Sequence, residues 1–129
     1  MRVTGRPEAD YPTAPWGYGD DFNIDAVPEQ LRFVLDQIAE SPLWAVGKPR
    51  DITINKRENG FFKLDPHTDP AADGENVFIV NLLSNSVLTF VPPGDFDRTH
   101  PHQISLQSWT DDDVDVLMMR RAMVLFSGK

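Results

Sequence analysis

Apolar positions along the chain follow two periods, and the change from one to the other falls near residue 50. Leu31, Val34, Leu35 and Ile38 keep the i, i+3, i+4, i+7 spacing of one buried helical stripe. Pro28 suits the first turn of such a helix, where no intrahelical amide partner is lost. Pro42 stops it and pushes Ser41 toward extended backbone. These signals predict a helix over residues 28–40. Upstream, residues 1–27 are punctuated by Pro and Gly and read as irregular. Their aromatics Tyr11, Trp16, Tyr18 and Phe22 are expected to pack onto the rest of the chain.

After Gly47 the pattern turns to strands. "DITIN" (Asp51–Asn55) alternates, and "VFIVNLL" (Val77–Leu83) reads as a mostly buried strand. "FFKL", "VLTFV", "ISLQSW", "VDVLMMR" and "AMVLF" are further short apolar runs. Turn signals separate them: "ENG" at 58–60, "SNS" at 84–86 and "DDD" at 111–113, with "PPGDFDRTHPH" as a longer loop. Short strands with turns between them predict a sandwich or barrel. The fold class expected is mainly β, α+β, with one N-terminal flanking helix on the outside of an antiparallel core. A single domain is expected over residues 1–129, with lead-in and helix to residue 50 and the β core from 51 onward.

The chain has 129 residues, enough for one domain with a real core. Its formal charge is −8, which disfavours a surface devoted to gripping phosphates but leaves room for a local basic groove. There is no cysteine, so disulfide scaffolds, zinc ribbons and thiol nucleophiles are excluded. The longest apolar run is far too short to cross a bilayer, and the first ten residues lack a signal core. A soluble intracellular protein, cytoplasmic or nuclear and without a membrane partner, is the expectation.

Candidate chemistry centres on "LDPHTDPAADG" (Leu64–Gly74). On extended chain, residues i and i+2 share a face, so the imidazole of His67 and the carboxylate of Asp69 can converge on one ion. That makes two thirds of the 2-His-1-carboxylate triad that holds non-heme Fe(II). A solvated turn is the plainer reading of the same residues. The flanking pattern bears on the choice: a strand–turn–strand unit precedes the pair, and an apolar strand, a turn and another apolar strand follow it.

Residues Asp51–Gly94, "DITINKRENGFFKLDPHTDPAADGENVFIVNLLSNSVLTFVPPG", resemble the core of the AlkB-like Fe(II)/2-oxoglutarate-dependent dioxygenases. "VLMMRRAMVLFSGK" (Val116–Lys129) resembles a later hairpin of that family, and the Pro- and aromatic-rich segment before the helix resembles its lead-in. The resemblance implies a double-stranded β-helix, a jelly-roll form, with iron at one mouth. It implies His67 and Asp69 as metal ligands and Asn55 as a contact to 2-oxoglutarate. It implies hydroxylation or demethylation of an alkylated nucleic acid or a methylated protein side chain. Two matches are missing: Arg57 stands where the family has Tyr, and Leu83-Ser84-Asn85 replaces its Ser-Leu-Gly turn. The family's second histidine and its 2-oxoglutarate-binding arginine follow the turn matched by Ser127-Gly128, where this sequence stops. The expectation is therefore a jelly roll incomplete at its C-terminus, whose 129 residues alone are inactive.

Two alternatives stand beside that reading. One is a catalytically incomplete fragment or split-gene half acting as a structural or interaction module. The other is a cupin-like metal-binding jelly roll that draws on His100 or His102. "RTHPHQ" looks metal-like, but a Pro-interrupted surface loop is its plainer reading. "DDDVD" (Asp111–Asp115) lacks the Gly and closing Glu of an EF-hand and reads as a solvated turn. Arg120 and Arg121 read as a solvent-facing strand end, and Trp16, Trp44 and Trp109 as packing residues.

Overall fold

The computed structural model describes residues 1–56, 67–92 and 111–127. These residues divide into two compact units. The first holds residues 1–56 and Pro70–Glu75; the second holds 67–69, 76–92 and 111–127. "FFKL", the "ENG" turn, most of the "PPGDFDRTHPH" loop and "ISLQSW" lie outside the described residues.

In the first unit, β1 (Arg2–Thr4) pairs antiparallel with β2 (Thr53–Asn55), Val3 opposite Ile54. The core beside them is Trp16, Ala14 and Val27, with Val3, Phe22, Leu31 and Ile52 packed around it. Trp16 is only 4% exposed, and its indole N–H donates to the Ile52 carbonyl at 3.1 Å. A buried indole thus keeps its hydrogen bond while its rings fill the core. The packing leaves no room at Gly5, where a Cβ would lie 1.8 Å from the Gly17 carbonyl oxygen. Gly17 itself has φ +71, a left-handed backbone that glycine adopts freely.

The helix α1 runs Glu29–Glu40. Leu31, Val34, Leu35 and Ile38 are half-buried, as the period requires, while Phe33 on the opposite side is 64% exposed. Pro28 is the N-cap and not a member of the first turn. Its carbonyl accepts from the amides of Leu31 and Arg32, which a cap residue on extended backbone does well. At the other end, the Trp44 indole donates to the Ile38 carbonyl at 2.8 Å, satisfying one of the terminal carbonyls. Trp44 is therefore a packing and capping residue.

In the second unit the pairing is nested. The outer strands β3 (Asn76–Val80) and β6 (Met123–Ser127) pair antiparallel, Phe78 opposite Leu125. The inner strands β4 (Ser86–Phe90) and β5 (Val114–Met118) pair antiparallel, Leu88 opposite Val116. Consecutive strands β3 and β4 do not pair with each other. Side chains alternate along each strand, so Val77, Ile79, Val124 and Phe126 share one face of the outer pair. Leu88, Phe90, Val116 and Met118 share one face of the inner pair. Phe90 and Phe126 meet edge to face at 5.3 Å, so these two faces look at each other.

Asn81 ends β3 and turns the corner. Its amide N–H donates to the Ala122 carbonyl, and its carbonyl accepts from the Arg121 amide at 2.6 Å. Its side-chain Nδ2 reaches the Met118 carbonyl at 3.0 Å and Ser86 Oγ at 2.7 Å. One residue thus ties the β3–β4 link to the β5–β6 turn, where Arg121 takes φ +64.

The molecule is mainly β, an α+β arrangement of small antiparallel sheets with one helix. Among the described residues the six strands form three two-stranded sheets and do not close into a barrel.

Neighbouring residues of β5 test the face assignment. Met118 is 2% exposed and Leu117 63% exposed. Met118→Ala should cost about 2–5 kcal/mol, because it opens a cavity in packed surface. Leu117→Ala should change stability by roughly 0.5 kcal/mol or less. Urea denaturation midpoints of the two variants check this, and equal losses would show the faces to be misassigned.

Candidate functional site

The sequence places His67 and Asp69 two apart with Pro70 after them, and Asp69, as a residue before proline, is biased to extended backbone. The structure brings their side chains together: His67 Nε2 lies 3.3 Å from Asp69 Oδ1. The two side chains are 49% and 33% exposed. Two donors bound to one octahedral ion at about 2.1 Å and a right angle stand roughly 3 Å apart. The pair therefore has the donor types and the separation of two adjacent metal ligands.

The other expected site residue, Asn55, is the last residue of β2 in the first unit and is exposed. Its Oδ1 accepts from Arg2 Nη1 at 3.1 Å, which leaves its Nδ2 donors uncommitted in that bond. Arg2 in turn grips Glu8 through both Nε and Nη2, at 2.7 and 2.6 Å. That hydrogen bond from Arg2 holds the Glu8 carboxyl below the usual carboxylate range. Arg57, His100, His102 and Trp109 lie outside the described residues. Among the described residues there is no group of three or more His, Asp or Glu arranged to hold a metal. Asp111 and Asp112 form an exposed turn leading into β5, and Arg120 and Arg121 sit exposed in the β5–β6 turn.

Directly after Asp69 comes a polar network that the sequence reading did not single out. Residues Ala71–Asp73 make one 3-10 turn, closed by the Asp73 amide donating to the Pro70 carbonyl at 2.9 Å. Both carboxylate oxygens of Asp73 are engaged. Oδ2 takes Arg6 Nη2 at 2.7 Å, and Oδ1 takes the Tyr18 hydroxyl at 2.5 Å. The Arg6 guanidinium also lies over the Tyr18 ring, 4.8 Å from its centroid, and reaches Asp51 Oδ2 at 3.4 Å. Thr53 donates to the same Asp51 oxygen at 3.1 Å. From the other side, Arg50 Nε donates to the Ala72 carbonyl at 2.7 Å while its Nη1 holds Asp20.

Burial sets the proton chemistry of this network. It pushes the Asp51 carboxyl above the usual aspartate value, against the pull of Thr53 and Arg6. Burial and the bond to Asp73 likewise push the Tyr18 hydroxyl up. Arg6 Nε and Asp51 Oδ1 are buried without a hydrogen-bond partner.

No protein-family model, no curated protein and no solved structure matches the chain.

The Asp51 environment fixes the sign of a pH effect. A carboxyl whose folded value is raised binds its proton more tightly folded than unfolded. Its contribution to stability is therefore largest at low pH and falls as pH rises from the ordinary aspartate value through the raised one. Asp51→Asn should remove that decline, so that the variant loses less stability than the wild type across the window. Denaturation midpoints measured from about pH 3 to pH 7 check this. An unchanged pH slope in the variant would show that Asp51 does not carry the effect.

Proposed function

We propose that the chain is the core of an AlkB-like Fe(II)/2-oxoglutarate-dependent dioxygenase, with His67 and Asp69 as two of the three facial ligands. The observation that carries this reading is the 3.3 Å approach of His67 Nε2 and Asp69 Oδ1. An imidazole nitrogen and a carboxylate oxygen at that spacing suit a divalent first-row metal with open positions. Asn55, with its amide donors, is the residue assigned to the co-substrate.

The nested strand pairing supports the jelly-roll form of this fold. A ribbon folded over on itself places its outer pair in one sheet and its inner pair in the other, as β3–β6 and β4–β5 are placed. Asn81 stands where the ribbon passes between them. Bound at the pair, Fe(II) with 2-oxoglutarate would supply the oxygen activation that hydroxylates a C–H bond. The chain's own task there is to orient two donors and keep further positions open. A third ligand and a cation for the distal carboxylate of 2-oxoglutarate are needed beyond the residues described.

Charge bears on the substrate class. Arg2, Arg6 and Arg50 each spend their guanidinium on a carboxylate: Glu8, Asp73 and Asp20. That leaves less positive charge for a phosphate backbone, which takes its affinity from Lys and Arg. With the net charge of −8 it favours a methylated protein side chain over an alkylated nucleic acid.

Titration with Co(II) or Mn(II) tests the metal site without turnover. His67→Ala and Asp69→Ala should each weaken binding by at least about 10–100-fold, the loss seen even for outer-shell partners. Wild-type protein that binds neither ion, or variants that bind as tightly as the wild type, would sink the reading.

A further inference from the structure

We infer that the groove on the outward face of α1 is a docking site for a basic peptide segment, one that presents lysine or arginine beside apolar residues. Phe33 and Ile24 floor this groove, and Asp25, Glu29 and Asp36 wall it. All of its residues belong to the first unit, and the inference stands apart from the metal site.

The groove follows from the helix period. At about 100° per residue, Glu29, Arg32, Phe33 and Asp36 fall within one arc of roughly 100°. That arc is turned away from the half-buried stripe of Leu31, Val34, Leu35 and Ile38. The 3-10 turn before the helix, Ile24–Ala26, brings Ile24 and Asp25 to the same depression. This turn is fastened where it meets the helix: the Val27 amide donates to the Ile24 carbonyl at 3.1 Å, and the Val27 side chain is buried in the core. The six residues enclose an open volume of about 500 Å³, enough for a few side chains.

Phe33 is 64% exposed and Ile24 38%. A single exposed apolar side chain is ordinary on a protein surface. Here two of them share a depression whose other walls are charged. Helix electrostatics account for Glu29, which lies in the first turn, where free amides favour a carboxylate. They do not account for Asp36, two turns further on, and aspartate is a poorer helix former than glutamate. Asp25, Glu29, Asp36 and Arg32 form no ion pair among the described residues. The lining thus holds three carboxylates against one guanidinium.

Charge complementarity selects the occupant. Lysine and arginine carry an apolar stem and a charged head. The stem matches the floor of the groove and the head its walls, while the face of the Phe33 ring attracts a cation. An apolar ligand would take water from the carboxylates without pairing them. The net charge of −8 acts in the same direction, drawing in a basic partner and repelling an anionic lipid surface or a second copy of the chain.

The test uses the 129-residue chain and three end-blocked fluorescent peptides of equal length. One alternates lysine with leucine, one lysine with glycine, and one glutamate with leucine. Fluorescence anisotropy at about 0.15 M salt should show the lysine–leucine peptide bound about 10-fold more tightly than the lysine–glycine peptide, and the glutamate–leucine peptide unbound. Phe33→Ala should weaken lysine–leucine binding about 10-fold. Alanine is a good helix former at this exposed position, so the variant folds. Glu29→Gln with Asp36→Asn should also weaken binding about 10-fold. Asp10→Asn with Asp111→Asn makes the same change in net charge at exposed residues outside the groove and should stay within about 2-fold of the wild type. Should the groove double variant fail to fold, Phe33→Ala and the three peptides decide the matter. Equal losses in the two double variants would reduce the binding to overall charge and overturn the inference. So would wild-type affinity in Phe33→Ala, or a lysine–leucine peptide left unbound. Self-association of the chain that Phe33→Ala abolishes would give the groove to a second copy and overturn it too.

Discussion

The first unit depends on one buried carboxylate. Asp73 has Arg6 on one oxygen and Tyr18 on the other, and through them the segment after Asp69 is joined to residues 67 and 55 positions earlier. Closing loops of that length costs chain entropy that grows only slowly with length, so a few strong contacts suffice. The contacts must nevertheless be complete, because a carboxylate taken out of water is costly unless it is paired and hydrogen-bonded. Arg6 satisfies that demand for Asp73 and partly for Asp51. The partly met demand shows in the raised Asp51 carboxyl and in the orphaned Arg6 Nε and Asp51 Oδ1. Fully buried Thr4 and its neighbour Thr53 extend the network into β1 and β2, their hydroxyls 2.9 Å apart. Sheet, lead-in and turn are thereby one polar unit beside the Trp16 core.

The second unit is held by different means. Two-stranded sheets are marginal alone in water, and here the two pairs acquire stability by facing each other across Phe90, Phe126 and Met118. Nesting makes that geometry possible, because each link between the pairs has to turn a corner. Asn81 supplies both a strand stop and four hydrogen bonds at that corner, through its backbone N–H, its carbonyl and, twice, its Nδ2. Its position inside an otherwise apolar run is explained by the corner.

What could be read from the residues was the part with a local cause. The helix was legible because four apolar residues repeat at its period; only its start shifted, with Pro28 capping where the first turn was expected. The strands β4 to β6 were legible as apolar runs between turn residues, to within a residue or two at each end, while β3 stops at Val80, three residues before the end of its apolar run. The i, i+2 spacing of His67 and Asp69 allows them one face on extended chain, but the spacing does not set their 3.3 Å approach. By contrast β1, three residues with a single apolar side chain, is too short for any period to show. Its partner β2 was read as the first strand of the later core, since alternation within "DITIN" carries no information about which strand it meets. The Asp73 network was illegible for the same reason. Arg6, Tyr18, Asp51 and Asp73 are individually ordinary polar residues, and only tertiary folding makes them a cluster.

The apolar character of β3 adds one further constraint. "NVFIV" is nearly continuous rather than alternating, the pattern of a strand covered on both faces. One face, through Val77 and Ile79, looks toward β4 and β5. The other carries Phe78 and Val80, with Leu125 and Met123 opposite them on β6. Val80 and Met123 are 37% and 38% exposed, and Phe78 and Leu125 are half-buried. Four large apolar side chains across one register of a sheet are costly to leave in water, at roughly 25 cal/mol for each Å² of apolar surface. The outer face of β4 and β5 differs, because there Thr89 and Asp115 share a 2.6 Å hydrogen bond at the register next to the apolar pair Val87 and Leu117. Polar residues at that register fit a sheet whose second face meets solvent.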